Sequence, residues 1–236
     1  MPMILNIETS TNICSVAATE GKNVLCSYRS ENGNHAHDLP LFIDNILKTL
    51  REQGKQPDAV AVSQGPGSYT GLRIGVATAK GLCYGLDIPL IAIDTLQVLC
   101  SSLLEAQNSL PDNAVLCPML DARRMEVYTA LYDTNLQLQT QIEAKIIDET
   151  AFFNTVNDKT IVFFGNGSQK CKEVIKRDNV IFVDGVVPDA KSMGLLAEQK
   201  LKDNDLADIA YFAPFYLKEF HATVSHKAQD VLGIPS

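Results

Sequence analysis

Gly65-Pro66-Gly67-Ser68-Tyr69-Thr70-Gly71-Leu72-Arg73 is the stretch of this 236-residue chain that most invites a chemical reading. It stands between an apolar run and a helical pattern, where the N–H groups of a helix start can cradle an anion. No Gly-Lys pair follows, as a nucleotide P-loop needs, and the third glycine place of G-x-G-x-x-G falls on Thr70. Phosphate binding and a tight turn built on glycine's backbone freedom therefore both stay open. Glu8, followed by Thr9-Ser10-Thr11, suits either a magnesium-bound phosphate or a turn cap. Asp121-Ala122-Arg123-Arg124-Met125-Glu126 sets two arginines between two acids, which suits a ligand clamp, an interface pair or a solvated hairpin. His35-Ala36-His37-Asp38 is too sparse to argue for a metal, and His221 and His226, five apart, do not share a helix face.

Composition narrows the field. With 20 Lys plus Arg against 28 Asp plus Glu, net charge −8, a phosphate-neutralising surface cannot dominate, so unaided nucleic-acid binding is not expected. At 46% hydrophobic residues the chain is not disordered. The first residues lack a basic signal-peptide region, and no stretch nears the roughly 18 apolar residues of a membrane span, so a cytoplasmic protein is expected. Cys14, Cys26, Cys83, Cys100, Cys117 and Cys171 form no C-x-x-C pair and read as free thiols.

The elements that must position these residues follow from periodicity. Residues 3–9, 13–19 and 23–30 predict an antiparallel meander. Leu39, Phe42, Ile43, Ile46, Leu47 and Leu50 predict a helix over 38–53, with Pro40 in its first turn. A buried strand over 58–63, a helix over 70–86, a strand over 89–93 and a helix over 94–107 complete a βββαβα order. Turn residues at 108–113 mark a boundary between lobes 1–108 and 109–236. The second lobe repeats the order in eroded form: strands over 115–120, 126–132, 138–147, 160–164 and 180–183, and helices over 149–156, 169–176 and 193–202. The fold class is α/β with mixed sheets. In the helix over 70–86, Gly71, Gly75 and Ala79 recur every four residues, which implies close approach of another backbone, either the lobe's own sheet or a foreign element. Leu41 lies off the main stripe of the first helix, and Leu47 widens that stripe beyond what one internal contact needs.

Asn6-Ile7-Glu8-Thr9-Ser10-Thr11, the Gly65–Arg73 loop, and Ala79-Lys80-Gly81-Leu82 followed by Ile88-Pro89-Leu90 resemble the TsaB and TsaD proteins that place threonylcarbamoyl on a tRNA adenosine. Leu120 to Tyr128 and Pro214-Phe215-Tyr216-Leu217-Lys218 look like the TsaB (YeaZ) branch in particular. The resemblance implies a two-lobed, actin-like ATPase fold. In TsaD the transfer uses a metal held by two histidines of N-H-L/M-E-G-H; here Asp94, Thr95, Leu96, Gln97, Val98 and Leu99 take those places, so no metal, cofactor or catalytic residue is expected. It also implies pairing with a TsaD-like transferase through the first-lobe helices, at Leu41, Asn45, Lys48, Gly71, Arg73, Gly75, Thr78, Ala79 and Leu82. A TsaE-like ATPase would join the pair, tRNA would be met only through the complex, and a homodimer could form when the partner is missing. The competing reading is an independent ATPase or phosphotransferase of the same fold, with Glu8 and Gly165–Ser168 at the nucleotide.

Overall fold

Strand β1, Ile4–Glu8, is buried along its whole length, which a central strand covered on both faces requires. The computed structural model describes residues 1–107, 109–152 and 159–218. β1 pairs antiparallel with β2, Cys14–Glu20, and β2 with the edge strand β3, Asn23–Ser30. The first helix, α1, spans His35–Glu52, three residues longer at its start than periodicity predicts, so Pro40 falls in its second turn. There it removes one donor opposite the carbonyl of Ala36, a residue open to solvent.

β4, Ala59–Gly65, runs parallel to β1, and β5, Leu90–Asp94, parallel to β4. Between them α2 spans Tyr69–Leu86, capped where the Ser68 hydroxyl accepts from the N–H of Gly71 at 3.2 Å. Leu72, Val76, Ala79 and Cys83 form its buried stripe. α3, Thr95–Ala106, then leaves the sheet.

The second sheet is built from β6 (Ala114–Asp121), β7 (Glu126–Thr129), β8 (Glu143–Ile146), β9 (Thr160–Phe164) and β10 (Val180–Val183). Its order, β10-β9-β6-β7-β8, is the first sheet's β3-β2-β1-β4-β5 read from the other end. The duplication expected from the element order is therefore present in hydrogen-bonded topology. Erosion is greater than expected in the helices. Gln169–Cys171 is a single 3-10 turn rather than a helix to residue 176, because only Cys171 and Ile175 supply buried apolar residues there. Residues 149–152 are turns, and 153–158 lie outside the described residues. β7 and β8 are shorter than predicted; Tyr132 instead makes isolated bridges to Leu116 and Leu138.

Two helices tie the sheets together. Leu96, Leu99, Cys100 and Leu103 of α3 pack with Leu116, Val162 and Phe164 of the second sheet. The last helix, α4 (Gly194–Lys202), returns to the first sheet, where Met193 and Ala197 pack against Ile4, Ala17, Ala59 and Ile91.

Candidate functional site

The turn after β1 and the loop after β4 meet through backbone. The carboxylate of Glu8 is fully buried: Oε1 accepts from the N–H of Ser10 at 2.6 Å and Oε2 from the Ser63 hydroxyl. Burial pushes its pKa above the usual carboxylate value despite those bonds. Ser68 N–H donates to Ser10 O at 2.6 Å, and a Cβ at Gly67 would stand 2.4 Å from that same carbonyl oxygen. Gly65, at φ +120°, leaves room for the carbonyl of Phe215, 2.4 Å from where its Cβ would be. Of the two readings of this loop, the tight turn is the one the geometry supports. The glycines are filled by the protein's own chain.

A charge-state consequence follows for Glu8. Its folded pKa lies above the unfolded value of 4.5, so the stability it contributes is greatest below that pH and falls as pH rises through the folded pKa. Glu8→Gln keeps an acceptor for Ser10 and gains a donor for Ser63. Its stability, measured by urea unfolding, should match or exceed that of the parent at neutral pH, with the difference closing as pH approaches about 4.5. A clearly less stable Gln variant at neutral pH would mean that the charge itself is needed.

The second lobe repeats the arrangement. Gly165-Asn166-Gly167-Ser168 ends β9 as Gly65-Pro66-Gly67-Ser68 ends β4. Gly165 has φ +96° and backs onto Met119 O, Gly167 N–H donates to Met119 O at 2.9 Å, and the buried Ser168 hydroxyl donates to Gly165 O at 2.8 Å. Both groups that an independent ATPase would bring to a nucleotide, Glu8 and Gly165–Ser168, are thus spent on internal contacts. The β6–β7 tip differs. Arg123 and Arg124 have φ of +70° and +50°, a left-handed backbone that costs non-glycine residues about 1–2 kcal/mol each. Both are exposed, whereas Lys170 pairs with Asp121 and Lys218 with Glu126.

The C-terminal segment lies along the first lobe and reaches the second only at its end, where Lys218 pairs with Glu126. Ala207 N–H donates to Leu90 O at 2.8 Å, Lys80 Nζ donates to Phe212 O at 2.9 Å, and Phe215 N–H donates to Gln64 O at 2.7 Å. Tyr216 then packs on Tyr69 with ring centroids 4.8 Å apart, and the guanidinium of Arg73 lies 5.4 Å from the Tyr69 ring. Sequence reading saw Pro214–Lys218 only as a family signature; Phe215 facing Gly65 is the physical reason for a glycine there.

The nine residues expected to bind a partner separate into two groups. Leu41, Asn45, Lys48 and Arg73 are exposed, and Thr78 and Leu82 are half-buried. Gly71, Gly75 and Ala79 are buried and correct the expectation: a Cβ at Gly71 would stand 2.1 Å from Thr9 O, and one at Gly75 2.2 Å from Thr9 Oγ1. The close approach their spacing implies is internal, to the turn after β1, and Thr9 fastens it by donating to Gly71 O at 2.9 Å. The exposed positions of α2 include Arg73, Ala77, Gly81 and Tyr84 instead, and those of α1 include Leu41 and Asn45. Tyr84 is 86% exposed, and nothing lies within 4 Å of a Cβ at Gly81. The buried stripe Leu72, Val76, Ala79 and Cys83 was the signal that could have placed Ala79 inside and Ala77 and Gly81 outside.

The two metal-ligand places do not fit a metal. Thr95 and Leu99 are fully buried, Leu99 in the apolar cluster under the second sheet, and the Asp94 carboxylate accepts from Gln64 at 2.6 Å. Among the described residues no group of three His, Cys, Asp or Glu side chains stands ready for a metal ion, and no helix is long and apolar enough to cross a membrane. His221 and His226 lie outside the described residues. The six cysteines are unbridged.

The sequence profile described as "TsaD: tRNA N6-adenosine threonylcarbamoyltransferase" matches residues 29–226. The tRNA threonylcarbamoyladenosine biosynthesis protein TsaB of Bacillus subtilis (strain 168) is 27% identical over 226 residues, covering 91% of this chain and 93% of its own. YeaZ from Pseudomonas aeruginosa superposes with a TM-score of 0.74 at 23% identity, over 92% of this chain and all of that one. An inorganic polyphosphate/ATP-glucomannokinase from Arthrobacter sp. strain KM shares the fold at a TM-score of 0.51 and 10% identity, over 86% of this chain and all of that one. With two sheets of one topology, a glycine-rich turn at the same place in each, and a profile match over most of its length, the chain belongs to the family of TsaD and TsaB proteins, on the TsaB branch.

Proposed function

We propose that this chain is a non-catalytic subunit in the formation of threonylcarbamoyladenosine on tRNA, needed by a TsaD-like transferase that does the chemistry. The observation that carries this reading is that the groups an independent ATPase would bring to a nucleotide are taken up by the protein itself: Glu8 by Ser10 and Ser63, and Gly165 by Met119, while Gly65 of the first-lobe loop is packed on Phe215. Thr95 and Leu99 at the metal-ligand places support it from the transferase side. In this reading the outer face of α1 and α2 pairs with the transferase, a TsaE-like ATPase joins the pair, and the same face makes a homodimer when the partner is missing. Residues 1–108 and 109–236 act as two lobes, with α4 of the second braced on the sheet of the first. tRNA is met through the complex, in the cytoplasm.

Reconstitution tests it. Omitting only this chain from the assembled pathway should abolish threonylcarbamoyladenosine formation, and the chain alone should show background ATP turnover and no tRNA modification. Full product without the chain, or robust turnover by the chain alone, would overturn the proposal.

A further inference from the structure

We propose that Arg123 and Arg124, at the β6–β7 tip, grip the phosphodiester backbone of the tRNA when the chain is assembled with its transferase partner; this rests on the tRNA-modification reading above. The tip holds two consecutive non-glycine residues in left-handed backbone, an arrangement that a glycine or asparagine would adopt at less cost. Its acids are already neutralised, Asp121 by Lys170 and Glu126 by Lys218. Among the described residues neither arginine has an ion pair or a side-chain hydrogen bond. The hairpin therefore carries two uncompensated positive charges on a chain whose net charge is −8.

A planar guanidinium with its donors in a fixed fork suits a phosphate oxygen pair. Protein interfaces centre on apolar, charge-depleted patches, and this tip offers only the one-third-exposed Met125 beside its charges. A polyanion needs no such patch. The position is also apt. Tyr216 packs on Tyr69 at the start of α2, and Lys218 pairs with Glu126 at the base of the hairpin, so the C-terminal segment joins the start of the partner-facing helix to the hairpin that carries the tip.

The test uses the full chain assembled with its transferase and an unmodified tRNA transcript, with affinity measured across a salt series. Replacing both arginines by glutamine should flatten the slope of log affinity against log salt by about 1.4 to 1.8, while assembly with the transferase stays unchanged. The double lysine variant, which keeps the charges, should restore most of the slope. Arg124→Gly should raise the melting temperature of the free chain and still weaken tRNA binding, a combination that a merely structural role does not produce. An unchanged salt slope overturns the proposal. So does loss of assembly in the glutamine variant, which would assign the arginines to carboxylates of a protein partner. Failure of the functional reading is distinct: it appears as undiminished product when the wild-type chain is left out.

Discussion

Gly71→Ala and Gly75→Ala should each strongly destabilise the folded protein, and Gly81→Ala, on the same helix, should not. A Cβ at Gly71 would sit 2.1 Å from a backbone oxygen of Thr9, and backbone cannot swing aside. At Gly75 the obstacle is the Thr9 hydroxyl at 2.2 Å, which can leave only by giving up its bond to Gly71 O and turning within a fully buried site. Forcing extra volume into such a contact costs about 1–3 kcal/mol and sometimes more, against a total stability of about 5–15 kcal/mol. The larger loss belongs to Gly71→Ala. Gly81 faces open space, and alanine there should gain up to about 1 kcal/mol of helix propensity. Urea unfolding of the three variants decides the matter. If Gly71→Ala or Gly75→Ala unfolds at the parent's midpoint, α2 does not lean on the turn after β1 as described.

These glycines also explain how far the sequence could be read. The first lobe was legible because its strands and helices carry long, regular stripes: Leu39, Ile43, Ile46 and Leu50 in α1, and the wholly buried β1. After Ser168 the sequence predicts a helix over 169–176 where the chain makes one 3-10 turn, since Cys171 and Ile175, four apart, are the only buried apolar residues there and too few to hold a longer helix on the sheet. The internal repeat was legible only in order of elements. Its residue-level trace, G-x-G-S at 65–68 and 165–168, survives where backbone meets backbone and any side chain would collide, whereas the strands around it changed freely. The direction of the small-residue stripe was open for another reason. Spacing says that some backbone comes close to Gly71 and Gly75 but not whose, and the answer is a carbonyl and a hydroxyl of Thr9, which is 62 residues from Gly71 in sequence.

Arginine at Ala77 or Gly81 should abolish pairing with the transferase while leaving the chain folded. Both positions are exposed, and arginine is a good helix former, so Gly81→Arg should hold or raise the melting temperature. In an interface the same side chain is a bulky charge with neither room nor counter-charge, and leaving a charge buried without a partner costs several kcal/mol. The neighbouring surface suits a dry seam: Tyr84 is 86% exposed, Leu41 50%, and Ala77 and Gly81 let a second helix approach closely. A specific interface buries roughly 800 Å² on each partner, an area two eighteen-residue helices can largely supply. Tyr84→Ala is the complementary test, since a large aromatic buried in such a seam carries a disproportionate share of the affinity. Gly75→Arg, by contrast, should lose pairing only because it unfolds. Co-elution with the transferase, read beside circular dichroism, separates the two cases. If Gly81→Arg and Ala77→Arg fold and still pair, the transferase binds elsewhere on the chain and the outer face of α1 and α2 is not the interface.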